Sequence, residues 1–143
     1  MPRYRTSVTT PRHPVDAFEF MASFENVAAW DPGVVEAQRI GVSELGVGSR
    51  FLVVVSSAGR RLPLVYRITE FEPPRRVLLV AETAALRSVD EITVEPTPSG
   101  ATVTYDAKLV LLGPLRLFNP ALALIFNPIG NRAAAGLRRE VQK

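Results

Sequence analysis

Residues 114–143 have the sequence PLRLFNPALALIFNPIGNRAAAGLRREVQK, and their pattern is the strongest indication of the fold. Its apolar residues recur at spacings of three and four, at Leu115, Phe118, Leu122, Ile125, Phe126, Ile129, Ala133, Leu137 and Val141. This spacing is typical of a long helix with one apolar face, and such a face needs a partner surface. Most of the preceding sequence has the pattern of strands, so we expect the partner to be a sheet.

The chain before this helix alternates between apolar and polar residues in seven segments, with the period of two that is typical of strands. Short turns join most of them, which favours antiparallel pairing of consecutive strands. Residues 14–22 and 24–29 have helical patterns instead. We therefore predict an α+β fold, in which a curved seven-stranded antiparallel sheet wraps around a long C-terminal helix, with two short helices after strand 1. The predicted strands are residues 4–10, 34–43, 49–57, 62–71, 76–83, 87–95 and 101–111.

Length and composition favour one soluble domain over residues 1–143, because 47% of the residues are hydrophobic and 22% are charged. There is no cysteine, which excludes disulfides, a thiolate metal site and a cysteine nucleophile. The single histidine, His13, argues against a zinc site and against serine–histidine catalysis. The N-terminal residues lack the apolar core of a signal peptide, so we expect a cytoplasmic protein.

Charge and hydropathy argue against a nucleic-acid partner and against a membrane-spanning helix. The net charge of +3 suggests nucleic acid, but the arginines are scattered and no run interleaves basic and aromatic residues. We expect no nucleic-acid partner. Residues 109–129 are mostly apolar, yet Arg116 and several prolines interrupt them, so we expect no membrane-spanning helix.

The prolines of the C-terminal stretch predict an interrupted helix. Pro120 and Pro128 each follow an asparagine, and a residue before proline avoids helical geometry. We therefore expect breaks at residues 119–120 and 127–128. We hypothesise that this proline-broken half is a mobile gate through which an apolar ligand enters.

The turns and packing points resemble those of the helix-grip (SRPBCC) superfamily, which includes START domains, the major birch-pollen allergen and polyketide cyclase/dehydrase-like proteins. The resemblance implies an apolar cavity between the sheet and the C-terminal helix that holds a lipid, a steroid, a polyketide or a similar molecule. It implies no catalytic residue, because none is common to the superfamily. The matching segments are residues 30–32 (WDP), 46–48 (GVG), 71–76 (FEPPRR), 100–105 (GATVTY) and 113–115 (GPL).

Strand alternation places one carboxylate toward the predicted cavity. Ile92 and Val94 should face inward, which puts Asp90 on the same face. An inward carboxylate needs a partner or a raised pKa. Tyr66 and Tyr105 could offer hydroxyls to a ligand, or could pack in the core with their hydroxyls at its edge. These three are the candidate catalytic residues.

Two positions near the predicted cavity have alternative interpretations. Trp30 either contacts a ligand at the cavity mouth or caps the end of the sheet. The third strand is apolar on both faces, so either the side chains of Phe51 and Val53 or those of their neighbours line the cavity. A strand of this kind suggests that its outer face is covered, as in a homodimer. The full set of predicted ligand-binding residues is Trp30, Phe51, Val53, Tyr66, Ile68, Asp90, Ile92, Tyr105, Leu109, Phe118, Leu122 and Phe126.

Three functions are compatible with this pattern. The first is binding of a hydrophobic small molecule in the cavity, without a cofactor. The second is a polyketide cyclase or dehydratase-like enzyme that uses Asp90 and the tyrosine hydroxyls for acid–base chemistry. The third is a protein-interaction module with a filled cavity. We favour the first, because the inward-facing residues are so apolar. On the last strand, we expect Asp106 and Lys108 to point to solvent.

Overall fold

A curved seven-stranded sheet forms the body of the structure, a computed structural model that describes residues 3–41, 44–57 and 59–142. Within these ranges, the side chains of residues 57, 116, 119 and 121–129 are not described. The strand order is β1-β7-β6-β5-β4-β3-β2, and every neighbouring pair is antiparallel. The strands are β1 (Arg3–Thr10), β2 (Val34–Ile40), β3 (Arg50–Ser57), β4 (Arg60–Glu72), β5 (Arg76–Glu82), β6 (Leu86–Thr97) and β7 (Gly100–Leu111).

Helices lie against the inner face of this sheet and complete the predicted α+β helix-grip fold, which is confirmed. Helix α1 has the predicted bounds, because Pro14 suits the first turn and the Val15 amide donates to Nδ1 of His13 at 3.3 Å. His13 is therefore a helix cap. The helices are α1 (Pro14–Ala22), α2 (Val27–Trp30) and α3 (Asn119–Val141), with 3-10 helices at Phe24–Asn26 and Gly113–Phe118.

The C-terminal helix differs from the prediction at its prolines. The chain is a 3-10 helix up to Phe118, and Pro120 lies in the first turn of α3. The break predicted at residues 119–120 therefore corresponds to the start of this helix. The predicted break at residues 127–128 is wrong, because α3 is continuous to Val141. A proline removes one backbone hydrogen bond, and the remaining bonds continue the helix. The side chains of residues 121–129, on which the gate hypothesis depends, lie outside the described residues.

The core lies between the inner face of the sheet and the helices. Phe24 packs edge to face on Tyr66 and Phe51, with ring centroids 5.0 and 6.3 Å apart. The ambiguity on β3 is resolved here, because Phe51 and Val53 are fully buried on the inner face. Leu52 and Val54 are half-buried on the outer face. The homodimer that these outer residues suggested stays a prediction.

The prediction that Asp106 points to solvent is wrong. This residue is buried on the outer face of β7, where Arg3 Nε donates to its Oδ1 at 2.9 Å and Arg3 Nη2 to its Oδ2 at 2.5 Å. The reason is that β1 pairs with β7, so that Arg3 lies opposite Lys108 and its side chain reaches Asp106. This guanidinium lowers the pKa of Asp106. Lys108 is exposed, as predicted.

Two glycines of α3 let the helix lie close to the rest of the fold. A Cβ on Gly130 would overlap the ring of Tyr4, and a Cβ on Gly136 would overlap the carbonyl oxygen of Trp30. Further along, the Thr10 hydroxyl donates to the carbonyl of Val141. The C-terminal half of α3 is thus held against β1 and the end of α2. No helix in the described part of the chain has both the length and the apolar character needed to cross a bilayer.

The approach at Gly136 gives a stability prediction. Gly136→Ala should lower the free energy of unfolding by about 1–2 kcal/mol, because the methyl group must displace the Trp30 carbonyl at a cost of about 2–3 kcal/mol. This cost exceeds the helix-propensity gain of about 1 kcal/mol. Urea unfolding measures the difference. The matched control is Ala135→Leu on the exposed side of α3, which should change stability by less than about 0.5 kcal/mol. A Gly136→Ala protein as stable as the wild type would contradict the packing.

Candidate functional site

A small cavity lies between strands β1 and β7 of the sheet and the C-terminal half of α3. Its volume is about 60 Å³, which is room for a few water molecules or one functional group. The sheet contributes mainly residues of β1 and β7, and α3 contributes small residues and one leucine. The residues that line it are Tyr4, Thr6, Trp30, Asp31, Tyr105, Ala107, Gly130, Ala133, Ala134 and Leu137.

A hydrogen-bonded polar network crosses the inner face of the sheet beside this cavity. Asp90, only 2% exposed, accepts a hydrogen bond from the Tyr105 hydroxyl at 2.5 Å. Its other carboxylate oxygen accepts from Ser88 Oγ at 3.4 Å. The Ser88 hydroxyl also shares a hydrogen bond of 2.8 Å with the Tyr66 hydroxyl. The four side chains form one chain of hydrogen bonds within an apolar core.

Strand register explains how this network forms. Tyr66 on β4 lies opposite Ala81 on β5, and Ala81 lies opposite Ser88 on β6. The methyl side chain of Ala81 leaves room for the tyrosine to reach over β5 to the serine. On the other side, Tyr105 lies opposite Ile92, one diagonal step from Asp90. The alternation of β6 brings Ser88 and Asp90 to one face, as predicted for Asp90.

The buried network has unusual proton affinities. Burial raises the pKa of Asp90 to about 7, although the hydrogen bonds from Tyr105 and Ser88 act in the opposite direction. Burial and the neighbouring carboxylate raise the pKa values of Tyr66 and Tyr105 well above the usual tyrosine value. The tyrosines therefore stay protonated, and Asp90 is the group that can gain or lose a proton near neutral pH.

Trp30 and Asp31 form the wall of the cavity opposite the sheet. The Trp30 ring is buried against the ring of Tyr105, with centroids 5.2 Å apart and planes 77° apart. Asp31 accepts a hydrogen bond from the amide of Gly33 at 2.9 Å, which is the turn role expected of an aspartate there. It also lines the cavity, and burial raises its pKa.

The other predicted ligand-binding residues fall into three groups. Phe51, Val53, Ile68 and Ile92 are fully buried on the inner face of the sheet, and Leu109 packs at the edge of the same core. Phe118 is 59% exposed, contrary to its predicted place in the cavity, because the 3-10 helix changes the phase of the apolar stripe. The side chains of Leu122 and Phe126 lie outside the described residues.

Several residues of the cavity and of the hydrogen-bonded network beside it were missed from the sequence. Ser88 lies two residues before Asp90, so strand alternation could have found it. Tyr4 and Thr6 share a face of β1 by the same rule. The small residues of α3, such as Gly130 and Ala134, carry no chemical signal, and only their contact with the sheet reveals them.

A larger cleft of about 500 Å³ lies on the surface, away from the polar network, between Glu72 and Pro96. Arg76 dominates it and donates to Glu70, Glu72 and Glu91 at 2.7–2.8 Å. One guanidinium thus bridges three carboxylates, so we interpret the cleft as a structural ion-pair cluster. Nowhere in the described residues do three or more metal-ligating side chains converge.

The architecture defines a START-like helix-grip protein. The fold is shared by a START superfamily protein from Mycobacterium smegmatis, which is 10% identical in sequence. The superposition has a TM-score of 0.76 and covers 97% of this chain and 96% of that protein. The fold is also shared by the protein TTHA0849 from Thermus thermophilus, which is 15% identical, with coverage of 98% and 97% and a TM-score of 0.77. At such identities the likeness shows the fold alone.

Sequence comparison then gives the family. The chain belongs to the family described as "Polyketide cyclase / dehydrase and lipid transport", whose model matches residues 1–142. It is also similar to the uncharacterized protein Rv1546 of Mycobacterium tuberculosis strain H37Rv. The two are 27% identical over 139 residues, which are 96% of this chain and 89% of that protein.

The raised pKa of Asp90 gives a pH prediction. Between about pH 4 and pH 7 the folded protein keeps a proton that the unfolded chain has released, so the free energy of unfolding falls as pH rises, by up to about 1.4 kcal/mol per pH unit. Asp90→Asn removes this dependence. Urea unfolding measures the free energy of unfolding of both proteins. From pH 5 to pH 8, the value for the variant should rise relative to that for wild type by on the order of 2 kcal/mol. The control is Glu95→Gln, an exposed carboxylate that should follow the wild type. Parallel curves for Asp90→Asn and wild type would contradict the assignment.

Proposed function

We propose that this protein binds an apolar small molecule, one end of which enters the cavity beneath α3. One observation carries the proposal: a cavity with mostly apolar and aromatic walls holds the polar side chains of Thr6, Asp31 and Tyr105, and Tyr105 leads to the buried Asp90. Buried polar groups are costly to keep without a purpose, whereas in a binding site they orient a ligand. The family description, which includes lipid transport, supports this class of ligand.

The size of the cavity restricts how such a ligand binds. About 60 Å³ holds a functional group but not the body of a lipid or polyketide. The body therefore has to lie beyond the cavity described here, or α3 has to move away from β1. Its apolar surface supplies the affinity, at roughly 25 cal/mol per Å² buried, and the polar groups supply orientation.

Native mass spectrometry of the protein purified from its own host tests the proposal. We expect a bound small molecule that is lost on denaturation. Ala134→Leu should abolish this co-purification, because the larger side chain enters the cavity. Ala135→Leu adds the same side chain to the exposed neighbouring position and should keep the ligand. The proposal fails if wild type is always empty, or if both variants, folded by circular dichroism, retain the molecule equally.

A second function, catalysis of a polyketide cyclisation or dehydration, is favoured by the proton affinity of Asp90. Asp90 lies behind Tyr105 rather than in the cavity wall, so it acts through that hydroxyl. The Tyr105 oxygen takes a proton from a carbon between two carbonyl groups as its own proton passes to the Asp90 carboxylate, whose pKa of about 7 lets it return the proton later. Once Asp90 is protonated, the Tyr105 hydroxyl can turn to stabilise the oxyanion that forms. Both groups are within hydrogen-bonding distance of each other, as such a pair requires.

Product masses test this second function. After incubation with a linear poly-β-keto thioester, an enzyme should release a product lighter by one water molecule. Asp90→Asn and Tyr105→Phe should each lower the rate at least tenfold, because each removes one member of the pair. Glu95→Gln is the control and should turn over normally. An unchanged substrate mass, with substrate bound, leaves the protein as a carrier.

A further inference from the structure

We propose that the ligand end which enters the cavity is a small cation, an ammonium group carried on an apolar body. This inference rests on the proposed binding function and names the chemical class of its ligand. Three features of the cavity support it independently: its charge, its pattern of hydrogen-bond donors and acceptors, and its aromatic walls.

The charge around the cavity is negative and unbalanced. Asp31 lines the cavity, and Asp90 is one hydrogen bond away through Tyr105. Among the described residues that line it, none is a lysine, an arginine or a histidine. Asp106 on the opposite face of the sheet is different, because Arg3 pairs with it. Asp31 has no cationic partner among the described residues, and a bound ammonium group would supply one.

The hydrogen bonds in the cavity favour a ligand group that donates hydrogen bonds over one that accepts them. The Tyr105 hydroxyl already donates to Asp90, and the Tyr4 hydroxyl donates to Asn131 at 2.7 Å. A ligand carbonyl would therefore find these donors occupied, with Thr6 as the remaining hydroxyl in the wall. Asp31, in contrast, uses one carboxylate oxygen for Gly33, and its other oxygen has no partner among the described residues. An ammonium group has only donors to offer, which matches this pattern.

The aromatic walls suit a cation as well. Tyr4, Trp30 and Tyr105 all line the cavity. The rings of Trp30 and Tyr105 are 77° apart in orientation, so they form a corner rather than a stack. The faces of aromatic rings carry negative potential and attract ammonium groups, and tryptophan attracts them most strongly. A volume of about 60 Å³ admits an ammonium group but not a bulky head group.

A matched ligand series tests the inference. Hexylamine, hexanol and hexanoate share one alkyl chain and differ in the charge of one end. Trp30 is the only tryptophan of the chain, so its fluorescence reports occupation of the cavity. We expect hexylamine to bind at least tenfold more tightly than hexanol, and hexanoate to bind most weakly. Ala134→Leu should abolish the signal and Ala135→Leu should keep it, which places binding in the cavity.

Substitution of the carboxylate completes the test. Asp31→Asn should lower the affinity for hexylamine at least fivefold and leave that for hexanol within twofold, because only the amine needs the negative charge. Glu95→Gln removes an exposed carboxylate and should change neither. Equal binding of amine and alcohol, or tighter binding of hexanoate, would overturn the cation and leave the proposed binding function intact. If no hexyl compound changes the fluorescence and no molecule co-purifies, the binding function itself fails.

Discussion

The site depends on how closely α3 approaches the beginning of the chain. Gly130 lies on the ring of Tyr4, and Gly136 lies on the carbonyl of Trp30. Between these contacts α3 presents Ala133 and Ala134 to the cavity, and just beyond them it presents Leu137. A side chain at Gly130 would push the helix away from β1, and one at Gly136 would push it away from the end of α2, so either would separate the cavity walls. The width of the cavity is therefore fixed by two places where a side chain is missing.

The sheet holds two buried carboxylates with opposite properties, and the difference is one of partners. Asp106 faces outward and has the guanidinium of Arg3, which lowers its pKa. Asp90 faces inward and has only neutral hydroxyls, so burial dominates and its pKa rises. The two residues lie on adjacent strands, β7 and β6, one register position apart. A single sheet thus separates a structural ion pair from a group suited to binding or proton transfer.

Much of the fold could be predicted from local sequence, because strands and helices have their own periods. All seven strands and helix α1 were found, and alternation placed Asp90 on the inner face correctly. Two failures were local, the break at residues 127–128 and the exposure of Phe118, and the others came from long-range contacts. Burial of Asp106 requires knowing that β1 pairs with β7. Prediction of the hydrogen bond between Tyr66 and Ser88 requires the register of three strands. Ala81 lies between the two residues on the middle strand, and its small side chain lets them meet. Small residues of α3 give no periodic signal that could identify a cavity wall.

The position of β1 in the sheet has a consequence for how the molecule assembles. Its strand partner is β7, and its side chains meet α3, so Arg3 contacts a residue 103 positions later in the chain. During synthesis, β1 has to wait for nearly the whole chain before these contacts can form. Contacts between distant residues form slowly, because the intervening chain must first be ordered. The wall of the cavity that joins Tyr4 to α3 is therefore expected to be the last part of the protein to fold.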